Sequence, residues 1–404
     1  MSSFLPVECE GDASVMSYRR RNEAWMIDMA LGTSGTEAMW PGMMPAWLEC
    51  GQRQIDLERT MARVRSFKMI TKEWERTARK LEALAIAAEQ ADNTITAGEF
   101  YHRAAICYGR SKWPIMDNSS VRKRELHDAE DRCFDKVITY NDLYTLKRVE
   151  IPFEGSAIAG ILHLPKGVKK PPCVIFVPGM DMTKEDFPNV QNNIFVRRGM
   201  ACLSIDGPGQ GASNLRGIHS RLGTYEKALA AVLDALEKRD DIDGANVSLL
   251  GLSLGGYYSV RGAAADPRFR AHVSMIGLYG HLDQFFMMAP PNFRHCFMYM
   301  AGIKTDAELD EQVDELSAPR LAPLIKVPTL IVTAEYDQLT PLEAAEAFFE
   351  NMKCPKEIWI AEGQFHPVGA LRANLWPMIA DWIKHVASVG LPTSYNVKTI
   401  IPES

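Results

Sequence analysis

Three polar side chains far apart in the chain have the types and local settings that nucleophilic acyl chemistry demands. Ser253 stands in Gly251-Leu252-Ser253-Leu254-Gly255, a serine fenced by glycines two positions before and two after. The apolar run Val247 to Leu252 precedes it, and the small-residue stretch Leu254-Gly255-Gly256-Tyr257 follows. A strand turning sharply into a helix at such a serine strains its backbone, and only small flanking residues avoid a clash. The turn also sets the hydroxyl at a helix N-terminus, where the dipole favours developing negative charge. Taken alone, Gly-x-Ser-x-Gly is also a common small-residue linker. The strand before it and the helix after it point to a nucleophile.

A serine hydroxyl attacks a carbonyl only when a base removes its proton and a third group holds that base. In strand–turn–helix folds that carry such a serine, the acid and then the histidine follow it along the chain. After residue 326 the sequence holds two histidines, His366 and His385. His385 lies inside the helical stretch ADWIKHVAS and reads as an ordinary helix residue. His366, in AEGQFHPVGA, falls in a loop between the last apolar strand and the last helix, and is the expected base. Asp337, just past the strand end in VTAEYDQLTP, is the expected acid, with Glu335 and Asp283 as alternatives. The N–H of Leu254 and that of Met180, in Pro178-Gly179-Met180-Asp181, are the expected oxyanion donors. Asp181 reads as a loop cap or partner of Lys184, or as a polar pocket residue. The segment Asp206-Gly207-Pro208-Gly209-Gln210-Gly211 reads as a tight strand-to-helix turn, with a backbone loop behind the serine as the alternative.

The elements that must position these residues follow from the hydrophobic pattern. LKRVEIPFEG and SAIAGILHLP alternate apolar with polar residues around Glu154-Gly155, which predicts an antiparallel hairpin. Short continuous apolar runs come next, at 173–179, 201–206, 246–253, 269–277, 328–337 and 356–363. Strands buried on both faces read this way. Helical stretches at 186–199, 220–242, 254–266, 341–353 and 370–388 separate most of them. The pattern predicts an α/β fold over residues 146–390, a mostly parallel sheet covered on both sides. Residues 278–326 exceed a normal crossover and predict a lid or binding insertion. Among its apolar residues, Phe285, Phe286, Met288 and Phe297 are expected to line an adaptable pocket for an aromatic or polyketide-like substrate. Arg294, His295 and His281 read as surface or packing residues. Residues 1–145 carry helical spacing, at 55–90 and 97–109 above all, and predict a helical cap domain. Residues 391–404 form a C-terminal tail.

Composition narrows the function classes. The 404 residues are 47% apolar and 24% charged with a formal charge of −6, which gives no reason to expect nucleic acid or an anionic membrane as partner. Eight cysteines lie scattered without a C-x-x-C pair, which argues for buried free thiols, a reducing compartment and no zinc site. The first residues, MSSFLPVECEGDASVM, lack a basic region followed by an apolar one, and no apolar run approaches the length of a membrane span. A cytoplasmic enzyme with a small-molecule substrate and no cofactor or metal is expected.

The stretches VPGMDMTKEDF, SIDGPGQG, GLSLGG, EYD and GQFH together resemble the α/β-hydrolase fold. Within it they are similar to the group around 2,6-dihydroxypseudooxynicotine hydrolase, the fungal polyketide-shortening hydrolases and, more distantly, the FrsA-like fermentation–respiration switch esterases. TAGEFYHRAAICY also resembles the helical region of that group, so the resemblance runs from about residue 55 to residue 390. It implies an N-terminal helical domain over the catalytic mouth, a homodimer, and hydrolysis of a carbon–carbon bond beside a ketone. A carboxylesterase and a catalytically inactive binding module on the same fold are the competing expectations. The nicotine-pathway members carry a lid glutamate that assists catalysis. This chain places Met288 or Ala289 there, which removes that proton carrier.

Overall fold

A computed structural model describes residues 23–36, 42–282, 285, 286, 289, 291–313 and 315–403. The N-terminal part is helical: α1 (Glu23–Ser34), α2 (Met43–Glu49), α3 (Gln54–Met61), α4 (Met69–Gln90), α5 (Thr94–Lys112) and α6 (Val121–Tyr140). The helical spacing at 55–90 is realised as two helices with a break between them. In α4 the buried residues Ile70, Trp74, Ala78, Leu81 and Ala85 recur three or four apart and form one apolar stripe. α4 and α6 both pack along α5, and their stripes close a core of their own with Trp47, Leu57 and Tyr101. The Ser120 hydroxyl caps α6 by accepting from the Lys123 N–H at 3.3 Å.

Nine strands follow in one sheet: β1 (Thr145–Phe153), β2 (Ser156–Leu164), β3 (Cys173–Val177), β4 (Ala201–Asp206), β5 (Val247–Leu252), β6 (His272–Met275), β7 (Thr329–Ala334), β8 (Lys356–Ala361) and β9 (Asn396–Ile401). Their order is β1-β2-β4-β3-β5-β6-β7-β8-β9. β1 and β2 form the expected hairpin, with Glu154 and Gly155 at φ 47° and 76° as a two-residue loop of this hand requires. β2 meets β4 antiparallel, and every pairing from β4 through β9 is parallel. All residues of β3 to β8 are buried, as continuous apolar runs predict for a sheet covered on both faces. The covering helices are α7 (Gly211–Leu215), α8 (Thr224–Glu237), α9 (Leu254–Ala265), α10 (Pro291–Ala301), α11 (Asp306–Val313), α12 (Leu342–Asn351) and α13 (Arg372–Val389).

Two expectations change, and one gains detail. The segment 186–199 holds only two short 3-10 turns, Val190–Asn192 and Val196–Arg198. Pro188 removes an N–H there, and the Asn193 side chain accepts from Phe195 and Val196 N–H, which supports turns in place of a helix. The last residues are no bare tail, because β9 extends the sheet in parallel along β8. Its alternating exposure is that of an edge strand, a weaker signal than the buried runs. The insertion after β6 is largely helical, built from α10 and α11. No described helix is long and apolar enough to cross a membrane.

Candidate active site

Ser253 closes β5 and opens α9 with φ 55° and ψ −122°, a conformation L-residues avoid. Its N–H donates to Met275 O at 2.9 Å, which ties the turn to β6. The flanking glycines are required by crowding. A Cβ on Gly251 would stand 2.1 Å from Gly255 O, and one on Gly255 2.2 Å from Val177 O. The turn that strains the serine thus presses against the end of β3.

The three residues singled out in the sequence meet. Ser253 Oγ lies 2.9 Å from His366 Nε2, and His366 Nδ1 lies 3.0 Å from Asp337 Oδ2. Asp337 is 4% exposed, and its other oxygen accepts from the Leu339 and Thr340 N–H at 2.8 and 3.0 Å. Gln338, which the sequence did not flag, accepts from the His366 N–H at 3.0 Å and fixes the histidine loop. Glu335 serves elsewhere: it accepts from the Gly363 N–H at 2.8 Å and braces the turn that leads to His366. Asp283 lies outside the described residues. His385 sits exposed on α13, as read.

The Met180 and Leu254 N–H groups flank the serine from two chain segments. Among the described residues neither donates to a protein acceptor. The peptide between Gly179 and Met180 is held from behind. Gln210 Nε2 donates to Pro178 O at 2.8 Å and to Gly179 O at 2.9 Å. A trans peptide points its N–H opposite its C=O, so this grip turns the Met180 N–H away from Gln210. Gln210 itself accepts from the Tyr225 hydroxyl. Asp206 at the end of β4 joins the two loops. It accepts from the Lys184 N–H and ammonium at 2.9 Å each and from the Ala212 N–H at 2.8 Å. Burial opposes the Lys184 charge, but Asp206 and Glu185 outweigh it and hold its pKa above the ordinary value. The turn at 206–211 is therefore a scaffold for the loop carrying Met180, beyond a plain strand-to-helix connection.

A recess of about 750 Å³, its open mouth included, lies at Ser253 and His366. Its walls come from Met43, Ala46 and Trp47 of α2, Cys50, Met180, Met182, Leu252 and Phe293, with Arg110, Asp181 and Arg372 as polar members. Burial pushes the Cys50 thiol up to about 12, so it is a neutral wall group. Asp181 lines the recess, but it does not pair with Lys184. Arg110 of α5 takes it, at 3.0 Å to its carbonyl and 3.3 Å to its carboxylate. The aromatic lid expectation is corrected. Phe285 and Phe297 are buried at 4% and 1%, and with Phe286 they pack on one another at centroid distances of 5.1 to 5.2 Å. They are lid core, and Phe293 is the lid phenyl that reaches the recess. Met288 lies outside the described residues, and Ala289 is buried beside that core. Arg294 pairs with Asp306 and Asp310, and His281 lies 3.0 Å from the Ser317 hydroxyl, both as packing residues. Trp47, Arg110 and Arg372 carried no local motif, and Gln210 lay in the flagged 206–211 turn without a role of its own. Among the described residues, no group of three His, Cys, Asp or Glu is placed to hold a metal ion.

Comparison with known proteins places this geometry. The 2,6-dihydropseudooxynicotine hydrolase of Paenarthrobacter nicotinovorans is 27% identical over 336 residues, which cover 80% of this chain and 86% of that one. Hydrolase acrC of Aspergillus aculeatus is 33% identical over 231 residues, about half of either chain at 52% and 53%. A crystal structure of 2,6-dihydroxy-pseudo-oxynicotine hydrolase superposes with a TM-score of 0.76 over 88% of this chain and 98% of its own, at 24% identity. That likeness shows the α/β-hydrolase fold. The family model described as "Esterase FrsA-like" matches residues 53–300, more than half of the sequence. An enzyme of the α/β-hydrolase type, this chain belongs to the FrsA-like esterase family.

Proposed function

We propose that this chain is a serine hydrolase that cleaves an acyl bond in a mid-sized, largely apolar substrate. The observation that carries the reading is the unbroken Ser253–His366–Asp337 relay, at 2.9 and 3.0 Å, opening on a recess. His366 Nε2 takes the Ser253 proton as the oxygen attacks the substrate carbonyl, and buried Asp337 steadies the resulting imidazolium. The Met180 and Leu254 N–H groups receive the tetrahedral oxyanion. Collapse expels the leaving group with the proton from His366. Water, deprotonated by the same histidine, then frees the acid and restores the serine.

The leaving group is a carbanion in C–C hydrolysis and an alkoxide or phenoxide in ester hydrolysis. The resemblance to the nicotine-pathway group favours a C–C bond beside a ketone. Met288 or Ala289 at the lid position supplies no proton, so His366 would protonate the departing carbon alone. Such a substrate must carry its own electron sink, a second carbonyl or a conjugated phenol. Ester hydrolysis makes no such demand and stands as the second reading. Seven described cysteines, all buried and free, support a reducing, cytoplasmic setting, and the resemblance supports a homodimer.

The test is Ser253→Ala assayed on aryl esters and 1,3-diketones, with products identified. Turnover should fall by about three to six orders of magnitude, with the melting temperature nearly unchanged. Retention of a tenth of the activity would remove Ser253 from the mechanism. Recovery of an acid plus a ketone or arene supports the C–C reading, and an acid plus an alcohol supports the ester reading.

A further inference from the structure

Two arginines line the recess, and the protein treats them differently. Arg110 has a sealed, unpartnered Nε like that of Arg372, but its fork is paired: Nη1 donates to Asp181, and Nη2 donates to Asp186 at 2.9 Å. Arg372 is 3% exposed, and its Nε is sealed from solvent without a hydrogen-bond partner. Among the described residues, no carboxylate lies within ion-pair distance of it, and Asp181, Glu49 and Arg110 act on it only through space. Its one close partner is the Trp376 ring, 5.7 Å from guanidinium carbon to ring centroid, one turn along α13. A ring at that distance accepts none of the guanidinium's five N–H donors as a hydrogen-bonding oxygen would.

Such a group needs a reason. A guanidinium does not shed its proton to escape burial, and an uncompensated buried charge is strongly destabilising. The position makes it worse, because Arg372 is the first residue of α13, the end of a helix dipole that repels a cation. The sealed Nε contrasts with the two terminal nitrogens, which among the described residues have no protein acceptor but are not sealed. The side chain borders the same recess as Ser253 and His366. It also leaves the chain six residues after His366, at the end of the same loop.

We infer that Arg372 is the substrate-recognition cation of this site, taking a carboxylate-type anion of the substrate in a two-pronged hydrogen bond while Ser253 attacks a carbonyl elsewhere in the same molecule. Planar, paired oxygens match the guanidinium fork, as a carboxylate or an ionised vinylogous acid supplies them. The substrate is then amphipathic: apolar against Trp47, Met43 and Phe293, and anionic at the Arg372 end. This deepens the serine-hydrolase reading and rests on it for turnover, though not for binding.

The experiment compares two esters of equal acyl length, 4-nitrophenyl hydrogen glutarate and 4-nitrophenyl pentanoate, in the full chain and in Arg372→Gln and Arg372→Lys. The charged ester should have the higher kcat/KM in the unaltered protein. In Arg372→Gln, the glutarate should lose about 10- to 100-fold more than the pentanoate, the range expected for a charge-assisted hydrogen bond. Arg372→Lys keeps the charge without the fork and should lose only part of it, so it also decides the matter if the glutamine variant folds poorly. An unchanged ratio of the two esters overturns the inference. If neither ester is turned over, the hydrolase reading takes the failure and binding decides separately. In Ser253→Ala, calorimetry should show 4-phenylbutyrate binding more tightly than 4-phenylbutyramide, with the difference lost when Arg372→Gln is added. Equal binding of acid and amide overturns the proposal.

Discussion

Gln210→Leu tests whether the loop bearing Met180 is positioned from behind. The change removes two donors, to Pro178 O at 2.8 Å and Gly179 O at 2.9 Å, and the acceptor of the Tyr225 hydroxyl. Gly179 O keeps a weaker donor, Met182 N at 3.3 Å, so it is not fully stripped. A buried polar group left without a partner costs about 1–3 kcal/mol. With one carbonyl stripped, one half-stripped and one hydroxyl free, the stability loss should be about 2–5 kcal/mol. The catalytic effect has a different size and signature. If the Gly179–Met180 peptide rotates or wanders, one oxyanion donor is lost, which costs about 10²- to 10³-fold in kcat. The ground-state substrate does not use that donor fully, so KM should hold within a few-fold. The assay is steady-state kinetics on an aryl ester, with active-site titration to count folded sites and a thermal melt read in parallel. A positioning role predicts that kcat per titrated site falls at least about a hundredfold. A kcat per site within about threefold of the unaltered protein refutes the reasoning, whatever the melt shows.

Two further predictions concern stability. Gly255→Ala would set a methyl 2.2 Å from Val177 O and 2.4 Å from Pro178 O, both backbone atoms of a buried strand end that cannot give way cheaply. It should destabilise the chain by roughly 3 kcal/mol or more in denaturant titration, and a midpoint unchanged from the parent would contradict the crowding account. Burial lowers the pKa of His102 to about 4 and of His163 and His272 to about 3. The unfolded chain therefore binds protons first as pH falls through about 6.5, so these residues' stability is complete above that pH and declines towards pH 3–4. By pH 5 each should have cost about 2 kcal/mol, and a melting temperature flat from pH 7 to 5 would refute it.

What could be read in the sequence was local. The elbow at Ser253, the hairpin at Glu154-Gly155 and the buried strands each depend on a few consecutive residues, and all stand where their patterns put them. His366 and Asp337 were found by order along the chain, because successive strand ends of a parallel sheet deliver their loops to one edge. The readings that failed depended on facing partners. Phe285, Phe286 and Phe297 have the composition of a pocket wall, yet composition does not say whether a phenyl faces a cavity or its neighbours. The helix expected at 186–199 gave way to backbone N–H donations into the Asn193 side chain that no periodicity displays. Arg372 belongs to no sequence motif, since only the surrounding structure shows that, among the described residues, no protein group accepts from its Nε.

The grip on Met180 bears on what the N-terminal helices are for. The loop from Pro178 to Asp186 is held by three side chains from two segments, the turn at 206–211 and α5. Gln210 seizes the carbonyls before Met180, Asp206 binds Lys184, and Arg110 of α5 binds Asp181 and Asp186 on either side of Lys184. Two of these anchors belong to the sheet domain, but the third crosses from the helical segment and lands one residue past Met180. An oxyanion donor is effective to the extent that it is already in place when charge develops, because reorganising it then would consume the stabilisation it offers. The helices also supply Met43, Ala46 and Trp47 to the recess wall. A passenger domain would need neither a buried arginine bound to Asp181 and Asp186 nor a tryptophan in the wall of the recess that holds Ser253. On the proposed serine-hydrolase reading, the helical segment would shape the substrate's seat through Met43, Ala46 and Trp47 and brace the loop beside Met180 through Arg110.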